Sequence, residues 1–161
     1  MDINNWLVDS SVISNFALIG KLELLKEELA EKLCITEEVK SEFLTGIKKG
    51  VIPETDISWL KIIKRINSED KLFDRLCLRL GRGESACLSI AVMRKWKLFT
   101  DDVDARNTAQ RLEVPVSGTI GILIYLIHND HITLTEGNKM LEDMINKGYY
   151  SPVEKLDDLL E

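Results

Sequence analysis

The chain has 161 residues, 45% hydrophobic and 30% charged, with 21 basic against 27 acidic side chains and a net charge of −6. That balance suits one soluble globular domain over 1–161, with a core that needs no staples. It also excludes a broad phosphate-gripping surface, which shows as an excess of Lys and Arg, so any hold on nucleic acid is local.

No apolar run is long enough to span a bilayer, and MDINNWLVDSS lacks the basic and apolar parts of a secretion signal. Cys34, Cys77 and Cys87 lack zinc-finger spacing and read as buried thiols. A reducing cytoplasm is therefore expected, with no membrane partner.

In chain order, Trp6-Leu7-Val8 reads as a first strand ending at Asp9, and Ser10 or Ser11 caps a helix from Val12 toward Gly20. Leucines at near-helical spacing run from Leu22 to Leu33. Leu33-Cys34-Ile35 is a second strand, and Thr36 caps a helix to about Gly46. Residues 50–58 read as loop, and Leu60–Ile63 as a third strand. Lys71–Leu80 is helical in pattern. Gly81-Arg82-Gly83 breaks it, and Glu84 opens a strongly helical ESACLSIAVMRKW. Leu98–Thr100 is a strand running into Asp101 and Asp102, followed by a helix over Val103–Leu112. Val114-Pro115-Val116 is a last strand at a sheet edge. Thr119–Ile127 and Thr135–Asn146 are helices, and 150–161 is a tail or short helix. Helices alternating with short strands predict an α/β fold with a mainly parallel central sheet.

The acids carry the chemistry. Asp9 ends one strand and Asp101-Asp102 another, so parallel strands put them on one carboxyl edge, where open α/β sheets place their sites. Like charges held close need a cation or a proton. Glu42 lies midway along the helix after the second strand, Glu84 beside the two glycines, and Asp104 two residues past Asp102. Such a set suits Mg²⁺ or Mn²⁺, which take oxygen ligands and can acidify a water for attack on a phosphodiester. Each acid alone also has a plain structural reading. Asp9, Asp102 or Asp104 can cap a helix, Glu84 suits a helix dipole, and Glu42 suits solvent.

Other chemistry is weaker. His128 and His131 bracket a helix end, where the dipole alone favours them. Gly81-x-Gly83 is no dinucleotide loop, and neither a P-loop nor a G-x-S-x-G elbow is present. Gly118 and Gly121 read as packing or turn glycines. Lys48-Lys49, Arg79, Arg82, Arg94-Lys95 and Arg106 read as solvated helix faces.

LVDSSVI, TEEVKSEF, GRGESACLSIA and FTDDVDAR, in that order, resemble the acidic motifs of PIN domains, the VapC-like nuclease superfamily. GRGE and GTIGIL resemble a subgroup in which GE stands in the third motif and TDDxxAR in the fourth. The resemblance implies a three-layer α/β/α fold and a Mg²⁺- or Mn²⁺-dependent ribonuclease acting on single-stranded RNA. It implies Asp9, Glu42, Glu84 and Asp102 as catalytic acids, with Asp9, Glu84 and Asp102 holding the metal and Asp101 and Asp104 as helpers. Ser11, Thr100 and Arg106 are expected to bond substrate or acids. A toxin role, neutralisation by an antitoxin protein, and a homodimer are also implied.

A rival expectation is a catalytically silent PIN-fold module that binds RNA or protein. A Toprim-like or phosphatase site fits less well: the first strand is followed by Asp9 rather than Glu, and by Ser10-Ser11 rather than D-x-D.

Overall fold

The computed structural model describes residues 5–160. Its strands are β1 (Trp6–Val8), β2 (Leu33–Thr36), β3 (Lys61–Ile63), β4 (Lys97–Phe99) and β5 (Val116–Ser117). They form one all-parallel sheet in the order β3-β2-β1-β4-β5. Chain order runs outward from β1 to β3 on one side, then jumps back to β4 and β5 on the other. The reversal falls between β1 and β4, the crevice where doubly wound sheets bind ligands.

The helices are α1 (Ser10–Leu18), α2 (Leu22–Leu29), α3 (Glu37–Lys48), α4 (Asn67–Leu76), α5 (Arg82–Arg94), α6 (Val103–Arg111), α7 (Thr119–His128) and α8 (Leu134–Asn146). They complete the expected three-layer α/β arrangement. β1 and β2 are buried along their whole length, as central parallel strands covered on both faces must be. α5 crosses the middle of the sheet, touching β1, β2 and β4, and is buried from Ser85 to Ala91. Leu7, Phe16, Leu88 and Phe99 are 1% exposed or less. Each such side chain contributes roughly 1.5–3 kcal/mol by leaving water. Trp6 packs on Phe99 and, edge-on, on Tyr125 of α7, which ties α7 to the β1–β4 seam. Among the described residues no helix is long and apolar enough to cross a membrane.

Most expected elements form, with shifted edges. The first helix starts at Ser10, one residue after Asp9, rather than at Val12 under a serine cap. α3 does begin on Thr36, whose hydroxyl accepts from the Val39 N–H at 3.1 Å, but it runs two residues past Gly46. The periodicity over 71–80 belongs to a helix that starts at Asn67. There Glu69 reaches back to the Ile66 N–H at 2.9 Å, and beyond Leu76 the chain turns, leaving Cys77 just outside the helix. Gly81 is the N-cap of α5, so the glycine break is itself the start of the helix, two residues ahead of Glu84.

The last strand is Val116–Ser117 rather than 114–116. Val114 gives its N–H back to Ala109 at the end of α6, and Pro115 has none to give. The tail carries a single 3₁₀ turn, Asp157–Leu159, held by Asn138 of α8, which bonds both the Asp157 carboxylate and the Leu156 N–H.

Candidate active site

Val8 pairs with Phe99 across β1 and β4, so Asp9 and Thr100 leave the sheet side by side. The Asp9 N–H extends the ladder to the Phe99 carbonyl at 2.8 Å. Its carboxylate is 1% exposed. Oδ2 accepts from the Thr100 hydroxyl at 2.9 Å and from the Ser11 hydroxyl at 3.2 Å. Oδ1, equally buried, has no hydrogen-bond partner among the described residues. Asp9 stands at the N-cap position of α1, yet its side chain makes no capping bond. Burial pushes its carboxyl up; the bonds from Thr100, Ser10 and Ser11 pull it back, and the Asp102 charge pushes it further up.

Thr100 couples this strand end to the next. Its hydroxyl donates to Asp9 and accepts from the Asp102 N–H at 3.2 Å. Asp102 caps α6, accepting from the Ala105 N–H at 2.8 Å through Oδ2. The capping reading and the site reading of Asp102 are thus compatible, because the cap occupies only that oxygen.

The two glutamates arrive from different helices. Glu84 lies in the first turn of α5, with its carboxylate folded over Gly81, and Glu42 of α3 lies over Gly83. A Cβ on either glycine would strike the carboxylate above it, so glycine here gives two acids close access to the α5 backbone. Burial and then the Asp9 and Glu84 charges push Glu42 up to about 7. Burial and then Asp9 and Asp102 push Glu84 up as well. Asp9, Glu42, Glu84 and Asp102 therefore share one electrostatic field, and the charges that act on Asp9, Glu42 and Glu84 are all negative. Beneath them Cys87 is fully buried, and burial first, then Asp9 and Glu42, hold it as a thiol.

The other sequence candidates separate. Asp101 is saturated. Its Oδ1 accepts from the Thr119 N–H at 3.0 Å, and its Oδ2 from the Thr119 hydroxyl at 2.5 Å and the Asn15 amide at 3.2 Å. Asp104 is exposed on α6 and faces a groove with Arg75, Arg79 and Arg111, not the four acids. Ser11 and Thr100 bond the acids, and Ser11 also accepts from the Asp101 N–H at 3.2 Å. Arg106 donates to the Thr100 carbonyl at 3.2 Å. His131 pairs with Glu28 at 2.7 Å, away from the acids.

Three contributors escape sequence reasoning: Asn15, Thr119 and Tyr149. Asn15 lies off the buried face of α1 formed by Val12, Ile13, Phe16 and Ala17, and nothing in the local sequence marks it. Tyr149 is half-buried where Asp101 and Arg106 act on it, and burial raises its phenol.

The donor set matches a hard divalent cation: oxygen ligands only, one of them a buried oxygen left without a partner. Among the described residues no three Asp, Glu, His or Cys side chains are gathered as tightly as a formed ion site gathers them. The acids meet through their field and their shared crevice rather than as a finished coordination shell.

The family model described as PIN domain matches residues 5–161, and the chain belongs to that family. Membership suggests a nuclease in general terms. Among solved structures, the chain is similar to PAE2754 from Pyrobaculum aerophilum at 18% identity and a TM-score of 0.56, over 77% of this chain and 90% of that one. At that identity the likeness is one of fold. No curated protein matches the chain.

Proposed function

We propose that the chain is a Mg²⁺- or Mn²⁺-dependent endoribonuclease that hydrolyses phosphodiester bonds of single-stranded RNA. The observation that carries this reading is Asp9. A buried carboxylate with one unpartnered oxygen lies in a crevice where Glu42 and Glu84 are also pushed toward protonation. Folding alone has no use for such a cluster, whereas a cation relieves it.

Asp9, Glu84 and Asp102 would hold the ion, and Glu42 would orient the attacking water or add a further oxygen. When bound, the ion supplies an acidified water and offsets the charge that grows on the phosphoryl oxygens. Thr100 keeps Asp9 and the start of α6 in register, and Ser11 holds Asp9 from the other side. Asp101 serves as a brace: Asn15 and Thr119 occupy its oxygens, and its N–H fixes Ser11.

On this reading the GE and TDDxxAR motifs mark the corresponding PIN subgroup. The same reading makes it a cytoplasmic toxin that dimerises with itself and is neutralised by an antitoxin protein. The test is Mn²⁺-dependent cleavage of a mixed RNA pool by wild type and Asp9→Asn. Cutting by wild type alone supports the assignment, and equal cutting by both rejects it. If neither cuts, yet Mn²⁺ raises the melting temperature of wild type only, the ion site stands and the silent binding module replaces the nuclease. Growth arrest on expression, relieved by Asp102→Asn, tests the toxin role.

A further inference from the structure

The chain's seven arginines sort into two groups. Arg65 pairs with Glu38 and Asp70, and Arg94 with Glu69. Arg75, Arg79, Arg82, Arg106 and Arg111 have no carboxylate partner among the described residues, although the chain holds 27 acids. Arg75, Arg79 and Arg111 line one groove of about 840 Å³ between the end of α4 and α6. Leu78, 83% exposed, and Leu80 line the same groove, as does Asn107.

One wall of the groove is α6, which starts just after Asp102, and the other ends at Leu80, just before α5 and Glu84. Asp104 on its wall is two residues past Asp102, and Arg82 precedes Glu84 by two on α5. From Asp104 to Arg111, α6 runs about 10 Å at about 1.5 Å per residue.

We propose that this groove holds the sugar–phosphate backbone of a single-stranded polynucleotide on its way into the acidic crevice, with the arginines on phosphates and the leucines beneath a base. The proposal rests on the nuclease reading of that crevice for its direction, not for its chemistry. Unpaired guanidiniums offer planar forks suited to phosphate oxygens, and an exposed leucine between them is open apolar surface for an unstacked base. An acidic chain overall with three arginines free of carboxylate partners in one groove reconciles the net charge of −6 with a polyanionic ligand.

The experiment uses the full chain and a fluorescein-labelled 12-residue oligouridylate in EDTA, so that binding is read without cutting. Anisotropy titrations across salt compare wild type, the triple variant Arg75→Ala/Arg79→Ala/Arg111→Ala, and the control Lys48→Ala/Lys49→Ala. All the altered side chains are exposed, and matched melting curves verify folding. We expect the triple variant to bind at least tenfold more weakly. Its plot of log affinity against log salt should be flatter by about 2, at about 0.7 per lost phosphate contact, and the lysine control should match wild type. Equal affinity of triple variant and wild type overturns the groove, as does absence of binding by wild type, which would leave the arginines to an acidic protein surface.

Manganese-dependent cutting is scored separately. If wild type cuts and the triple variant binds and cuts equally well, the groove falls and the nuclease stands. If the arginines carry binding and wild type never cuts, the nuclease falls and the groove stands.

Discussion

Asp9 and Glu69 are both carboxylates buried to 1% exposure or less, and their surroundings push them in opposite directions. Burial raises each. At Glu69, two charged bonds from Arg94, at 2.7 and 2.9 Å, and one from the Ile66 N–H together outweigh it, so the carboxyl ends below its usual range. At Asp9 two hydroxyls and a backbone N–H are all the help there is; one oxygen has no partner and the nearest charges are negative. The first arrangement is a finished joint. It clamps the start of α4 to the end of α5, and Arg94 also grips the Lys64 carbonyl just past β3. The second is incomplete by itself. Equal burial with opposite electrostatics separates a structural acid from a working one.

Removing a partner from the finished joint costs most. Arg94→Ala leaves Glu69 buried and uncompensated, which costs about 3 kcal/mol. Thermal unfolding should report a fall of roughly 10 °C for a chain of this size. A loss below 1 kcal/mol would erase the contrast.

Asp9→Asn removes charge where none is balanced. The variant should lose Mn²⁺-dependent cleavage while, without metal at pH 8, unfolding about 1 kcal/mol later than wild type, since a buried charge that lacks a counter-ion is replaced by a neutral amide. A variant less stable than wild type would mean that the Thr100 and Ser11 bonds already satisfy Asp9, and the two acids would no longer differ in kind.

Gly83→Ala refines the comparison by one methyl group. The new Cβ meets the carboxylate end of the Glu42 side chain, a flexible end that can swing away. Helix propensity gains up to about 1 kcal/mol from the change. Stability should therefore hold or rise slightly while the cleavage rate drops about tenfold, as expected for displacing one positioned group. A rate unchanged by the methyl would remove Glu42 from the site.

How far these parts were legible in the sequence follows from what each depends on. Asp9 and Asp102 were visible because a strand end followed by a helix fixes where a residue sits, and β1 and β4 pair in register. Glu84 was marked by its glycines. Glu42, on a solvent-facing helix, was singled out only by the family's second motif; nothing local distinguishes it from Glu38, which spends its charge on Arg65. Asp101 could not be sorted from Asp102, because its donors stand 18 and 86 residues away, and only the packing of α1 and α7 brings them in. Of the arginines expected on solvated faces, Arg79 and Arg82 are exposed, whereas Arg94 pairs with buried Glu69, a contact that only tertiary packing makes.

The smallest predicted effect is the pH dependence of Glu42. Its carboxyl titrates near 7 in the folded protein and near 4.5 when free. Between those values the folded chain binds more protons than the unfolded one, so this group's contribution to stability is full below about 4.5 and declines as pH rises toward 7. Without metal, the wild-type melting temperature should fall across that window, and Glu42→Gln should flatten the fall. Glu69, shifted the other way, contributes stability at neutral pH that is lost only on acidification. Mn²⁺ should reverse the wild-type trend, because protons and cation compete for the same oxygens: its stabilisation should be weak at pH 5.5 and full above 7. An equal metal-induced shift at both pH values would place the ion on carboxylates that do not share Glu42's field, away from the β1–β4 crevice.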